Sequence, residues 1–526
     1  MRTISKSLLL VFFGILYAAG FPILGSKISF IFGPILGFAG LFYLNQLSTT
    51  LPSLILNALF FSLGFYLFGF YWIPHTLTEF GGIIFPFNFL IGLFSIFVIC
   101  PHIFIFQISS YLLKKQNPFN NLPNSIQNIV WSVLFLFFQY SIPQLFNAYP
   151  GHAWIKIAPR LSLAPIFGEY LFSFLSILIS FELLELYQNK KFNFLNWIFC
   201  IFIILLNLIL PLKISDDTLP LKIRIAQANI GNNAKLSAEK GLPNSVDLVL
   251  DTYSKLSNLT DGFLPDLIIW PETAYPFTLH PNIINKSISV LPEVFQEIIN
   301  KNNSSLFFGG YLQDIKGTYG RSFNSAFLIG KNLSTKVYNK NKLLPFGESL
   351  PFPEGINKAI HSIIPSISFF SQSNDTTLFS AKTNDEKQYS FLGSICYEIL
   401  STGLIRSQLN SFDTHPNFLI NLTNDSWYGK TSEPEQHLFL SKWRSIEFAL
   451  PLIRSANTGI STIIDARGIE LSRTTIDSVT KLDLEMNYLK KPQKTIYQKW
   501  GILPIILLII ILIVCNLFYF RKSFSK

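Results

Sequence analysis

The 526-residue chain is 49% hydrophobic and 15% aromatic but only 14% charged, with a mean hydropathy of +0.38. A soluble globular chain carries roughly 25% charged residues, so the composition excludes a wholly soluble enzyme and points to membrane spans. The net charge of +10 comes from Lys and Arg at the ends of apolar runs, a pattern of membrane topology rather than of nucleic-acid binding, and four cysteines exclude a disulfide scaffold.

From Ser7 to Leu212 apolar runs dominate. Spans are predicted near Ser7–Leu24, Ile28–Leu44, Pro52–Ile73, Phe87–Leu113, Ile129–Phe146, Ile166–Leu186 and Phe194–Leu212, each approaching the roughly 17–25 residues that cross a bilayer as a helix. Arg2 and Lys6 before the first run, with Ala18-Ala19-Gly20 behind it, imitate a signal peptide, but further spans follow at once, so the run is read as an uncleaved helix. With Arg2 and Lys6 inside, Lys114-Lys115 and Lys190-Lys191 also fall inside, and the seventh run emerges outside. A last span, Gly501–Phe520, returns the chain to Arg521, Lys522 and Lys526 inside. The expectation is an α-helical transmembrane bundle of about eight helices. It divides the chain into an N-terminal bundle (1–212), an external domain (213–499) and a C-terminal helix with a basic tail (500–526). Both termini are then cytoplasmic. Glu169, near the outer end of the sixth span, is an intramembrane carboxylate and so a functional candidate, unless it sits at the interface.

The external segment has another texture. Strand-like runs at Lys222–Ala228, Asp266–Trp270, Ser305–Gly309, Ser325–Ile329, Ser390–Ile395, Phe418–Leu422, Gly459–Ile464 and Lys481–Leu484 alternate with helical stretches at Ser245–Asn258, Ile288–Asn300, Glu398–Leu409 and Pro434–Leu450. This alternation reads as an α/β domain large enough to bury its own core.

Three strand ends in that domain carry chemistry. Asp266–Trp270 runs into Pro271, which cannot extend a ladder, so Glu272 is presented at the tip. Tyr338-Asn339-Lys340 follows a strand-like stretch and leads into Leu343-Leu344-Pro345-Phe346-Gly347-Glu348. Cys396 ends a third strand; it is the one cysteine outside an apolar span, and the helix expected from Glu398 would favour its thiolate. Seen singly, these residues read as a loop carboxylate, a solvated lysine and a small buried hydrophobe. Together they form a constellation for acyl transfer, in which Glu takes the thiol proton, Cys attacks a carbonyl, and Lys with the backbone N–H after Cys396 stabilises the oxyanion.

Trp270-Pro271-Glu272-Thr273, Tyr338-Asn339-Lys340 and Cys396-Tyr397-Glu398 resemble the three motifs of the nitrilase superfamily, whose fold is an αββα sandwich with a Glu-Lys-Cys triad. A nitrilase-like domain preceded by about seven spans and followed by one resembles the bacterial apolipoprotein N-acyltransferase family. Asn424-Asp425-Ser426-Trp427-Tyr428-Gly429, Gln436-His437, Arg444, Ile453-Arg454-Ser455-Ala456-Asn457 and Pro150-Gly151-His152-Ala153-Trp154 agree. The resemblance implies Glu272 as base, Lys340 as oxyanion stabiliser and Cys396 as acylated nucleophile. It implies Glu348 as a second carboxylate, with Tyr397, Glu398 and Trp427 supporting the site or binding substrate. It also implies a phospholipid acyl donor, a diacylglyceryl-modified apolipoprotein as acceptor, no metal or other cofactor, a monomer, and a place in the bacterial inner membrane with the catalytic domain on the periplasmic side. Where the family has an aromatic beside a lysine, this chain has Lys235-Leu236, which puts a substrate contact there in doubt. Ile356, Ile360, Ile363, Ile364 and Ile367 suggest a membrane-facing amphipathic lid, limited by Pro365, or else a helix packed on the core. The competing readings are a membrane-anchored amidase acting on small amides, and an inactive transporter or scaffold; the second needs a broken triad, and all three positions are intact.

Overall fold

The computed structural model describes residues 3–524 apart from 24, 213, 259–261, 286–290, 316–321, 351 and 364–369. It divides into two compact units, Met1–Pro74 with Ile84–Lys213 and Thr495–Lys526, and His75–Ile83 with Ile214–Lys494.

The first unit is helical. Among the described residues, Leu51–Gly69, Glu169–Asn189 and Leu503–Arg521 are long and apolar enough to cross a membrane, and Phe87–Ile99 with Pro101–Leu113 makes a fourth span if the bent pair counts as one. The predicted run Phe87–Leu113 is thus broken, with a 52° bend at Pro101, a residue that cannot donate into the preceding turn and crowds its carbonyl. The run from Ser7 is helical only to Ala18, because Gly20 and Pro22 follow. Gly33–Gln46, Asn124–Ser141 and Phe194–Ile209 are the other main helices. Eight full-length spans therefore exceed what helix length and composition alone supply.

Buried polar groups tie these helices. Glu182 accepts from Asn128 (3.0 Å), Asn196 (2.7 Å) and Asn193 (2.9 Å), and Asn516 of the last helix donates to Asn196 at 3.1 Å. In an apolar setting each such group needs its partner. Glu169 is 1% exposed and lies 2.6 Å from His152 Nε2. Because His152 Nδ1 accepts the Tyr149 N–H, the ring proton sits on Nε2 and is donated to Glu169. Glu169, the first residue of its helix, is thus a buried and paired carboxylate.

The second unit is a two-sheet sandwich. Its strands are β1 (Thr218–Gln227), β2 (Leu267–Ile269), β3 (Thr278–Leu279), β4 (Ser305–Gln313), β5 (Ser322–Ile329), β6 (Thr335–Asn339), β7 (Leu378–Lys382), β8 (Gln388–Ile395), β9 (Phe418–Thr423), β10 (Leu452–Ala456), β11 (Thr462–Ile464), β12 (Glu470–Arg473) and β13 (Thr480–Leu489). One sheet has the order β13-β1-β2-β4-β5-β6, with β3 beside β4; the other runs β12-β11-β10-β9-β8-β7.

Period-2 alternation divides the residues between two cores. Leu267 and Ile269 join Ile223, Ile225, Phe307, Phe391, Ile420 and Ile453 between the sheets. Ile268 and Trp270 face the other way, with Phe308, onto helices Pro243–Ser257 and Glu293–Asn302 through Tyr253, Phe295 and Ile298. Helix Glu433–Phe448 packs against β10 with Trp443 and Ile446 fully buried. This is the αββα layering expected.

Candidate active site

Glu272 stands two residues past Trp270. Trp270 Nε1 donates to Ser257 Oγ at 2.9 Å, and its ring stacks on Tyr253 at 4.8 Å, which fixes the end of β2. The chain then turns against β4. Gly309 N donates to Pro271 O at 3.1 Å, and a Cβ on Gly309 would lie 2.6 Å from Glu272 Cα. Only a glycine permits that approach. Thr273 takes a φ of +48°, and its hydroxyl accepts from Lys235 Nζ. Lys235 also lies 3.9 Å from Glu239, and it lines a cleft beside Glu272 with Ile230, Pro276 and Asn457. The lysine whose contact the sequence left in doubt therefore braces the turn that carries Glu272.

Lys340 follows β6 directly and is 1% exposed. Its Nζ donates to Glu348 Oε1 at 2.7 Å and to Glu272 Oε1 at 3.4 Å. Burial alone would lower its pKa, but the carboxylates of Glu348 and Glu272 outweigh burial and hold the ammonium above its ordinary range. Glu348 Oε2 accepts the Leu344 N–H at 2.9 Å, so the turn that carries Glu348 also orients it. Asn324, on β5, donates from Nδ2 to Glu272 Oε1 (2.8 Å) and Glu348 Oε1 (2.9 Å), while its carbonyl accepts the Lys340 N–H at 2.8 Å. Nothing in the sequence marked Asn324.

Cys396 follows β8 directly with a φ of +53°, a left-handed conformation that a residue with a Cβ resists. The expected helix from Glu398 is instead a short 3₁₀ turn, Cys396–Leu400, followed by helix Thr402–Asn410. Ser401, at φ −87° and ψ +88°, separates the turn from that helix, and Glu398 caps the turn by accepting the Ile395 N–H at 2.9 Å. A five-residue turn supplies little dipole. Burial pushes the Cys396 thiol well above its ordinary pKa, Glu272 adds to the rise and Lys340 opposes it. The thiol is protonated at rest and needs a base.

Glu398 is fully buried and also accepts from Tyr338 Oη (2.9 and 3.0 Å), Asn341 N (2.6 Å) and Lys342 N (2.9 Å). It joins the loop of Lys340 to the turn of Cys396. Asn424 N donates to Glu272 Oε2 at 2.9 Å, and Trp427 lies half-buried in the turn that follows. Tyr428 meets Tyr397 edge-on at 6.2 Å. Of the lid residues, Ile356 is half exposed on helix Glu354–Ile363, whereas Ile364, Pro365 and Ile367 lie outside the described residues.

Behind the nucleophile lies a second cluster. Arg454 Nη2 is 2.9 Å from Asp425 Oδ2 and 3.1 Å from His437 Nδ1, and Nη1 donates to Asn421 at 2.8 Å. Asn421 in turn donates to the Cys396 carbonyl at 3.0 Å. Burial opposes ionisation of Asp425, yet Arg454 and His437 hold its pKa down at about 2. Burial, then Arg454, lowers His437 to about 4. Asp425, Glu433 and His437 are close enough together to ligate a metal, but the Arg454 guanidinium already stands against two of the three, so the donor set fits a cation poorly.

Residues 222–486 match the carbon–nitrogen hydrolase family, and residues 13–181 match the apolipoprotein N-acyltransferase N-terminal domain. The apolipoprotein N-acyltransferase of Bdellovibrio bacteriovorus is 30% identical over 68% of this chain and 60% of its own length. Those of Haemophilus ducreyi and Rickettsia prowazekii are 29% identical over 77% of both chains, and 27% identical over 94% of this chain and 96% of the relative. Glu272, Lys340 and Cys396 all lie within the residues matched to the hydrolase family. The chain belongs to the carbon–nitrogen hydrolase family, within its apolipoprotein N-acyltransferase branch.

Proposed function

We propose that the chain N-acylates the terminal diacylglyceryl-cysteine of apolipoproteins, taking the acyl group from a phospholipid by way of a thioester on Cys396. The observation that carries this reading is the hydrogen-bonded group of Glu272, Lys340 and Glu348 at the strand ends of one sheet, with the buried Cys396 at a strand end of the facing sheet, in a chain of this family.

Glu272 takes the thiol proton as Sγ attacks the ester carbonyl. Lys340 and the N–H after Cys396 receive the developing oxyanion. Collapse breaks the ester C–O bond, and the departing oxygen takes the proton from Glu272, so the lysophospholipid leaves as an alcohol and Glu272 is again a carboxylate. The α-amine then attacks the thioester, Glu272 takes a proton from the nitrogen and returns it to the departing thiol, and the amide is complete. The ester supplies the free energy, so no nucleotide is needed. The amine outcompetes water where it is positioned and the thioester is kept dry.

In this reading the apolar segments of 1–212 and 500–526 form a multi-pass bundle of about eight helices. Broken and short segments such as Phe87–Leu113 complete the crossings. The catalytic part, 213–499, lies on the external face of the inner membrane, with both termini in the cytoplasm, as the basic clusters imply. Trp427 and the exposed Ile356 would meet lipid or the acyl chain.

The test is incubation of the purified protein with acyl-labelled phospholipid. Hydroxylamine-sensitive label should form on the parent and not on Cys396→Ser. Equal label on both, or none on the parent, sinks the reading; turnover of small amides without lipid would favour the amidase instead.

A further inference from the structure

We propose that Glu433 is a positioning residue for the chemistry at Cys396, accepting the hydroxyl of Tyr397 and so fixing the backbone N–H that follows the nucleophile. The proposal deepens the acyl-carrier reading and rests on it.

The Tyr397 O–H donates to Glu433 Oε1. The Tyr397 ring lies flat on His437, with centroids 4.3 Å apart and planes 16° from parallel. Glu433 and His437 are one turn apart on helix Glu433–Phe448, and each is 1% exposed. A solvent-sealed carboxyl at that position is costly unless it makes a specific bond. Its bond is to the residue adjoining the nucleophile.

The strained conformation of Cys396 shows why a tether is useful. At φ +53° the residue does not hold its own geometry, and its neighbours must impose it. On one flank Asn421 grips the Cys396 carbonyl, with Arg454 behind it. On the other flank the following residue is held through its side chain by Glu433. The N–H between these two grips is the one assigned to the oxyanion. Burial, reinforced by Asp425, pushes the Glu433 carboxyl well above the ordinary carboxylate range. The acceptor is therefore neutral, and glutamine has the same shape, charge and acceptor oxygen.

The experiment measures label transfer from acyl-labelled phospholipid to Cys396 in the full-length protein. Glu433→Leu is expected to slow the maximal rate roughly 10- to 100-fold with the KM for phospholipid unchanged, and Glu433→Gln to recover most of the rate. Tyr397→Phe, which removes only the hydroxyl, should lose as much as Glu433→Leu, and the double variant should be no slower than either single. Parental rates in Glu433→Leu or Tyr397→Phe, a glutamine variant as slow as the leucine, a loss confined to KM, or multiplicative losses in the double variant would overturn the proposal. Should Glu433→Leu fail to fold, Tyr397→Phe and Glu433→Gln still decide: a slow glutamine variant or an unaffected phenylalanine variant refutes the tether. An unlabelled parent removes the acyl-carrier reading and this role with it; a labelled parent with indifferent variants removes the role of Glu433 alone.

Discussion

Lys340 stands 2.7 Å from Glu348 Oε1, nearer than its 3.4 Å approach to Glu272. The ammonium thus makes its shorter hydrogen bond to Glu348 and its longer one to Glu272. Glu348→Gln should therefore impair acylation by disturbing both partners. The expected loss is about 10²-fold, the scale of one preorganised charge in a dry site, measured as the rate of thioester formation. An unaffected rate would assign Glu348 to loop structure alone.

Gly309 lies under the turn of Glu272, where a Cβ has no room. Gly309→Ala should cost roughly 1–3 kcal/mol of stability by overpacking and displace the base. The control is Gly310→Ala, whose Cβ would make only ordinary contacts, at 3.5 Å and beyond. Thermal denaturation and labelling rates of the two variants should diverge; matching behaviour would show that the turn can shift at little cost.

Asp425 and Arg454 form a fully buried pair at 2.9 Å. Arg454→Met leaves a carboxylate without its cation, and breaking such a pair typically costs about 3–5 kcal/mol. The double variant Asp425→Asn with Arg454→Met should recover part of that loss in denaturation measurements. No recovery would mean that Arg454 acts chiefly through Asn421 and His437.

Two buried groups on one helix give opposite pH dependences. His437 is lowered from 6.5 to about 4 by burial and Arg454, so the unfolded chain binds a proton there that the fold refuses. Its contribution is present above pH 6.5 and is lost as pH falls towards 4, at roughly 1.4 kcal/mol per pH unit. The Glu433 carboxyl is raised from 4.5, so the fold keeps a proton that the unfolded chain releases. That contribution is full below pH 4.5 and declines as pH rises above it. The two slopes have opposite signs, and they oppose each other in the window that opens at pH 4.5. Glu433→Gln removes one of them, and its stability should then rise with pH across that window relative to the parent. A parallel pair of curves would contradict the neutral state of Glu433.

The placement of Glu272, Lys340 and Cys396 after strand ends was legible in local sequence, most plainly where Pro271 stops β2 before Glu272. Glu348 was legible through its motif. Asn324 was not, since a polar residue inside a strand reveals its partners only when the sheet order brings the loops after β2 and β6 together at the end of β5. Arg454 and His437 were visible as motif letters without a role, because their bonds join segments far apart in sequence. The stretch Leu452–Ala456 reads as a motif, yet it forms β10, inside the second sheet. The helix expected from Glu398 begins only at Thr402, because Ser401, at φ −87° and ψ +88°, interrupts it after the 3₁₀ turn. In the apolar half, hydropathy located the runs, but Pro22 and Pro101 cut them shorter than the composition suggested.

Glu398 clasps the two sheets across their seam. Its carboxylate receives Tyr338 and the 341–342 backbone from one sheet's end and Ile395 from the other's. The cation and the thiol consequently come into register in a single event, when the sheets close on each other. Parting the sheets would separate the Lys340 ammonium from the Cys396 thiol, so the arrangement exists only in the closed sandwich.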